Sequence, residues 1–146
     1  MTTETLTLAA FLLARLAEDE AAAAAAAGEV GDPDWCAGGA DYEGIVVLSG
    51  AVEVANGQTT PTTTHIARHD PARVLAEVAA KRAIVGLHEM VDHGLTYPGA
   101  PAACDRCQTV DGSTPTRIRG VWPCPTLRAL ASVYADHEDY HAEWAS

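Results

Sequence analysis

Cys104, Asp105, Arg106 and Cys107 set two thiols with two residues between them, Cys124 follows after sixteen more, and fifteen residues separate His88 from Cys104. Two cysteines at that spacing can both reach one tetrahedral ion from a tight turn, and a third thiolate with one imidazole completes a Cys3His sphere. The chemistry this predicts is zinc binding by His88, Cys104, Cys107 and Cys124. Four protein donors leave no position for water or substrate, so the zinc is expected to be structural. His93 and His137 remain alternatives to His88 as the fourth donor.

A second pattern competes. His137-Glu138-Asp139-Tyr140-His141 matches H-E-x-x-H, which on a helix aims two imidazoles at zinc and offers the glutamate as a general base. The alternative function is therefore a zinc-dependent hydrolase or peptidase using His137, Glu138 and His141. Against it, only Glu143 follows as a carboxylate, and a third ligand would have to come from upstream, for instance from His88, Glu89 or Asp92. No catalytic residue is assigned, and a non-enzyme is the favoured reading. A third pair, His65 and His69, is four residues apart but precedes the capped start of a helix, where helical spacing is not assured, so a structural role is expected there.

These donors need elements to hold them. Leu6, Leu8, Phe11, Leu12, Leu13 and Leu16 recur near helical spacing and lead into Ala21 to Ala27, which predicts a helix over 1–28 with Gly28 as its stop. Gly, Asp and Pro over 29–39 read as a loop anchored by Trp35, a core plug. Two apolar runs, Ile45 to Leu48 and Ala51 to Val54, predict a β-hairpin over 41–57, and Thr59 to Thr64 reads as a polar connector. Asp70 as cap and Pro71 at the first helical position start a second long helix over 70–93, whose apolar stripe carries His88 toward the core. The stretch 94–124 holds several prolines and glycines and is expected to form little regular structure, so a metal clip is the simplest reason for it to be ordered. A helical tail over 126–145 follows, with Thr126 as cap, Leu127, Leu130 and Tyr134 on its buried side, and Tyr140 and Trp144 folding back on the first helix.

The 146 residues suit one domain, a mainly helical α+β fold of two long helices, a small hairpin, a zinc-clipped loop and a short C-terminal helix. Aromatic residues are only 5% of the chain, so the core is thin in places and a metal clip would help it. Nine Lys and Arg against twenty Asp and Glu give a formal charge of -11, which repels phosphate backbones and argues against nucleic-acid binding. No basic, apolar leader or membrane-length run opens the chain, which predicts a cytoplasmic protein without a membrane role. In a reducing compartment four cysteines point to metal more than to disulfides, although Cys36 could pair with any of the others if the protein were secreted.

The segment from His65 to Leu75 (HIARHDPARVL), the C-x-x-C, Cys124-Pro125-Thr126-Leu127-Arg128 and Tyr134-Ala135-Asp136-His137 together resemble a domain-of-unknown-function family of small actinobacterial and actinophage proteins. The resemblance runs from Leu12 to Trp144 and is least close in the hairpin. It implies that His88, Cys104, Cys107 and Cys124 recur as a set, whereas Cys36 has no counterpart. The family tail reads His-Pro-Asp-Tyr followed by arginine, so Glu138 and His141 are departures, and the peptidase pattern loses weight. No activity comes with the resemblance. The expectation is a small zinc-binding protein acting as a binding or regulatory module on an unidentified protein partner, with the alanine-rich first helix able to support a homodimer.

Overall fold

The computed structural model describes residues 6–39, 46–48, 52–91, 102–110 and 117–145. Ile45, the Ser49-Gly50 turn, Ala51, Asp92 and His93 of the expected second helix, and residues 94–101 and 111–116 of the stretch expected to be irregular lie outside these residues. The architecture is mainly helical α+β, with four α-helices and two three-stranded antiparallel sheets among the described residues. The chain divides into two compact units, Met1–Arg15 with Lys81–Ser146, and Leu16–Ala80.

Helix α1 (Leu8–Val30) opens at Thr7, whose hydroxyl accepts the Ala10 N–H at 3.2 Å. It buries Leu8, Phe11, Leu12 and Leu16, the i, i+3, i+4 stripe that the sequence predicts, and leaves Leu13 exposed. The helix does not stop at Gly28. It runs on to Val30, and Gly31, the next residue, takes a φ of +85° and donates its N–H to Ala27 O at 2.8 Å, because the left-handed turn that ends the helix favours glycine at that position.

In the Leu16–Ala80 unit, strands β1 (Trp35–Ala37), β2 (Val46–Leu48) and β3 (Glu53–Ala55) form a sheet in that order. The expected hairpin is present as β2 and β3, with Val46 opposite Ala55 and a register shift before Val47. The loop reading of 29–39 is corrected, because Trp35, Cys36 and Ala37 pair with Leu48, Val47 and Val46. Trp35 is half-buried rather than a core plug, and its indole N–H donates to Asp32 O. The connector reading of Thr59 to Thr64 is also corrected. Helix α2 (Thr60–Arg68) starts there, with Pro61 in its first turn where a missing N–H costs nothing, and packs on β1 and β2.

Helix α3 (Pro71–Leu87) starts where the sequence indicates, since Asp70 Oδ1 accepts the Arg73 N–H at 2.8 Å. It ends earlier than residue 93. The chain leaves the helix after Leu87 so that Met90 and Val91, strand β4 (Met90–Val91), can pair with Cys104 and Ala103. Those two belong to β5 (Ala103–Val110), which pairs on its other side with β6 (Arg117–Val121). The stretch 94–124 is therefore not an irregular loop throughout: inter-strand backbone bonds, invisible to a count of Gly and Pro, order it.

Helix α4 (Pro125–Ala131) and two short 3-10 turns, Ser132–Tyr134 and Ala142–Trp144, make the tail. The core of the unit formed by Met1–Arg15 and Lys81–Ser146 gathers Leu8, Phe11 and Leu12 of α1 with Val85, Cys104, Cys124, Leu127, Ala131 and Trp144. Phe11 meets Tyr134, Tyr140 and Trp144 with ring centres 6.3, 5.9 and 5.1 Å away, so the tail aromatics fold back on the first helix as expected. Among the described residues no helix is long and apolar enough to cross a membrane.

Candidate metal centre

Each of the four predicted donors is delivered by a different local device. His88 sits just past the end of α3, where its N–H still bonds to Val85 O at 3.1 Å. Cys104 lies in β5 opposite Met90 on one side and Gly120 on the other, so two ladders hold its backbone. Cys107 follows three residues later, within the register irregularity between Cys104 and Thr109. Such an irregularity re-aims side chains that a regular strand would send to alternating faces, which lets two cysteines three positions apart converge. Cys124 is the N-cap of α4 and fully buried.

Together the ligand atoms of His88, Cys104, Cys107 and Cys124 lie within 4.8 Å of one another, and this is the only His, Cys, Asp and Glu group of that kind among the described residues. His88 Nδ1 is 3.5, 3.4 and 3.5 Å from the sulfurs of Cys104, Cys107 and Cys124. One imidazole nitrogen has a single lone pair or a single N–H and can satisfy one partner. Three sulfurs at equal range are not explained by hydrogen bonding. The spacing matches what a shared ion would impose, because ion-to-sulfur and ion-to-nitrogen bonds of about 2.3 and 2.0–2.1 Å at a tetrahedral angle put N and S about 3.6 Å apart. The four residues could hold a metal ion.

The electrostatics agree. Burial pushes the Cys124 thiol up to about 11, opposed by the Leu127 N–H and reinforced by the sulfurs of Cys107 and Cys104. Cys104 feels burial first as well, but the N–H groups of Cys107 and Arg106, with the neighbouring Cys124 and Cys107 thiols, bring it below its ordinary value. Three crowded sulfurs cannot all ionise without a cation between them. A divalent ion lifts that restriction by displacing the protons. All four cysteines are free of disulfides, and Cys36 is exposed in β1, so no disulfide reading is needed.

Thr126 takes a role that sequence reasoning did not assign. It is not the cap of α4, which is Cys124; its hydroxyl lies 3.7 Å from Cys107 Sγ and can donate to that sulfur. A hydroxyl two residues after a ligand cysteine is the signal that could have found it. Arg15 was also missed. It is almost fully buried, packs over the Phe11 ring at 5.3 Å and places Nη1 2.7 Å from His137 Nδ1.

The H-E-x-x-H residues do not converge. His137 to His141 form a bend, a turn at Glu138 and Asp139 and irregular backbone rather than a helix, so the i, i+4 geometry that the pattern presupposes is missing. His137 faces Arg15 and accepts the Asp139 N–H at 3.1 Å, Glu138 is exposed, and His141 stacks on Trp144 with ring centres 4.4 Å apart and planes 7° from parallel. His141 also lies 3.7 Å from Glu143.

In comparison with known proteins, the model of a family of unknown function, DUF6221, matches residues 5–146. No curated protein and no solved structure matches the chain.

Proposed function

We propose that this chain, which belongs to the DUF6221 family and takes no activity from it, is a small binding or regulatory module whose Cys104-to-Cys124 region is held by a structural zinc ion. The observation that carries the reading is the single His88 nitrogen at 3.4–3.5 Å from three cysteine sulfurs. The donor set favours zinc because three thiolates with one imidazole suit a borderline-soft ion without geometric preference of its own.

His88 would supply its Nδ1, and Cys104, Cys107 and Cys124 their thiolates. When bound, the ion would supply cross-linking energy and no open coordination position, which speaks against catalysis at this centre. A reducing, cytoplasmic setting fits thiols kept available for metal. The formal charge of -11 supports a protein partner with a basic face over nucleic acid or an anionic membrane. Self-association through α1 belongs to the same proposal.

The test is metal content per chain in protein purified without chelator or nickel, repeated for Cys107→Ser and His141→Ala. One zinc per chain, lost with Cys107→Ser and retained with His141→Ala, is the expected result. Absence of zinc from the parent protein, or its retention in Cys107→Ser, would overturn the reading.

A further inference from the structure

His65 and His69 precede the capped start of α3, but they do not lie outside a helix. His65 lies inside α2, and His69, its C-cap, still donates its N–H to His65 O at 3.1 Å, so the i, i+4 spacing of a helix is kept. Both side chains are exposed.

The separation of their rings is one that a chelating pair can take. The ring centres are 4.6 Å apart and the planes 42° from parallel. An ion about 2.0–2.1 Å from each nitrogen, with roughly 1.1 Å more to each ring centre and ligand angles of about 90–110°, puts the centres about 4.5–5.2 Å apart. The observed separation falls within that span without any movement of the helix.

The surroundings define the kind of site. Asp70, the nearest carboxylate in sequence, is already committed: Oδ1 accepts the Arg73 N–H and Oδ2 the Trp35 N–H. No third His, Cys, Asp or Glu among the described residues completes a cluster with the pair. Two imidazoles therefore leave the other positions of an ion to water. The pair stands at the C-terminal end of α2, where the helix dipole favours a cation, while Arg68 in the same turn opposes one.

We propose that His65 and His69 form a second, open site for a divalent transition-metal ion of the zinc, nickel and copper class, weaker than the Cys3His centre and exchangeable with solvent. Imidazole suits these ions, and the harder calcium and magnesium ions, which want oxygen donors, are excluded. The inference stands on α2 alone and does not depend on the structural-zinc reading.

The experiment is a calorimetric titration of the full chain, as purified, with zinc chloride. The expected result is a weak zinc-binding event of one ion per chain that disappears in both His65→Ala and His69→Ala, with the melting temperature of these variants as purified, before zinc is added, equal to that of the parent because both side chains are exposed. The parallel His141→Ala variant should keep the event. A parent protein without a weak event, an event that survives either alanine in α2, or one removed by His141→Ala would overturn the proposal. The metal content of the purified samples reports the Cys3His centre separately, so a failure there leaves this outcome readable.

Discussion

His88 and His141 lie in the same compact unit, and each belongs to a sequence pattern that can bind zinc. His88 meets three sulfurs at 3.4–3.5 Å. His141 meets an indole face and a glutamate instead. The difference lies in what fixes the backbone. Around His88, the end of α3, two strand ladders and the start of α4 converge, each held by main-chain hydrogen bonds that are set regardless of the donors. Around His141 the pattern depends on one local condition, a continuous helix, and the tail forms turns. A metal motif is a claim about backbone geometry, and its letters carry chemistry only where that geometry is supplied.

The largest effect that sharpens this contrast is metal removal. A structural zinc contributes roughly 10–16 kcal/mol of apparent binding free energy in small metal-organised folds, against a total stability of about 5–15 kcal/mol for an ordinary domain. Strong chelator should therefore abolish cooperative melting of the unit that contains β4, β5, β6 and α4, followed by near-ultraviolet circular dichroism at Trp122 and Trp144, and added zinc should restore it. A melting curve unaffected by chelator would show that the four donors are packed as ordinary core groups, and the contrast with the tail would collapse.

How much of this could be read from the chain depends on how local each signal is. The donors were legible because cysteine is rare here and a C-x-x-C spacing has few other uses, and Asp70 with Pro71 marked the start of α3 because cap and first-turn chemistry are short-range. Helix α2 was hidden by its threonines, whose branched side chains disfavour helix on their own, while packing on β1 and β2 outweighs that preference. Strands β5 and β6 were hidden because their order comes from pairing with each other across a connection, a non-local fact. The end of α3 was overrun because the apolar stripe continues through Val91, yet Met90 and Val91 serve a ladder. Arg15 stands inside an apolar run, where a lone charge gives no sign of burial, yet Phe11 and His137 give it a buried place.

A smaller effect probes the surroundings of the centre. Thr126→Val keeps the side-chain shape and removes the hydroxyl that faces Cys107 Sγ at 3.7 Å. Loss of a hydrogen bond to a ligand atom typically weakens metal affinity about 10–100-fold, so zinc competition against a chromophoric chelator should show a loss at the lower end, near tenfold. Helix α4 should be retained, because Cys124 and not Thr126 is its cap. Unchanged affinity with a weakened α4 would return Thr126 to the capping role that its sequence position suggested.

The smallest effect belongs to the tail. Glu138 is exposed and sits in a turn between His137, which is held against Arg15, and His141, which is stacked on Trp144. Glu138→Gln removes one charge without changing size, so stability should move by no more than about 0.5 kcal/mol, and zinc content should not change. The outcome matters because Glu138 is the residue on which the hydrolase reading turns. As a general base it would have to stand beside a water on a metal held by His137 and His141, and those two rings are engaged with different partners. If the parent protein shows zinc-dependent peptide hydrolysis that Glu138→Gln abolishes, the tail must rearrange into a helix in solution, and the two histidine sites would no longer differ in kind.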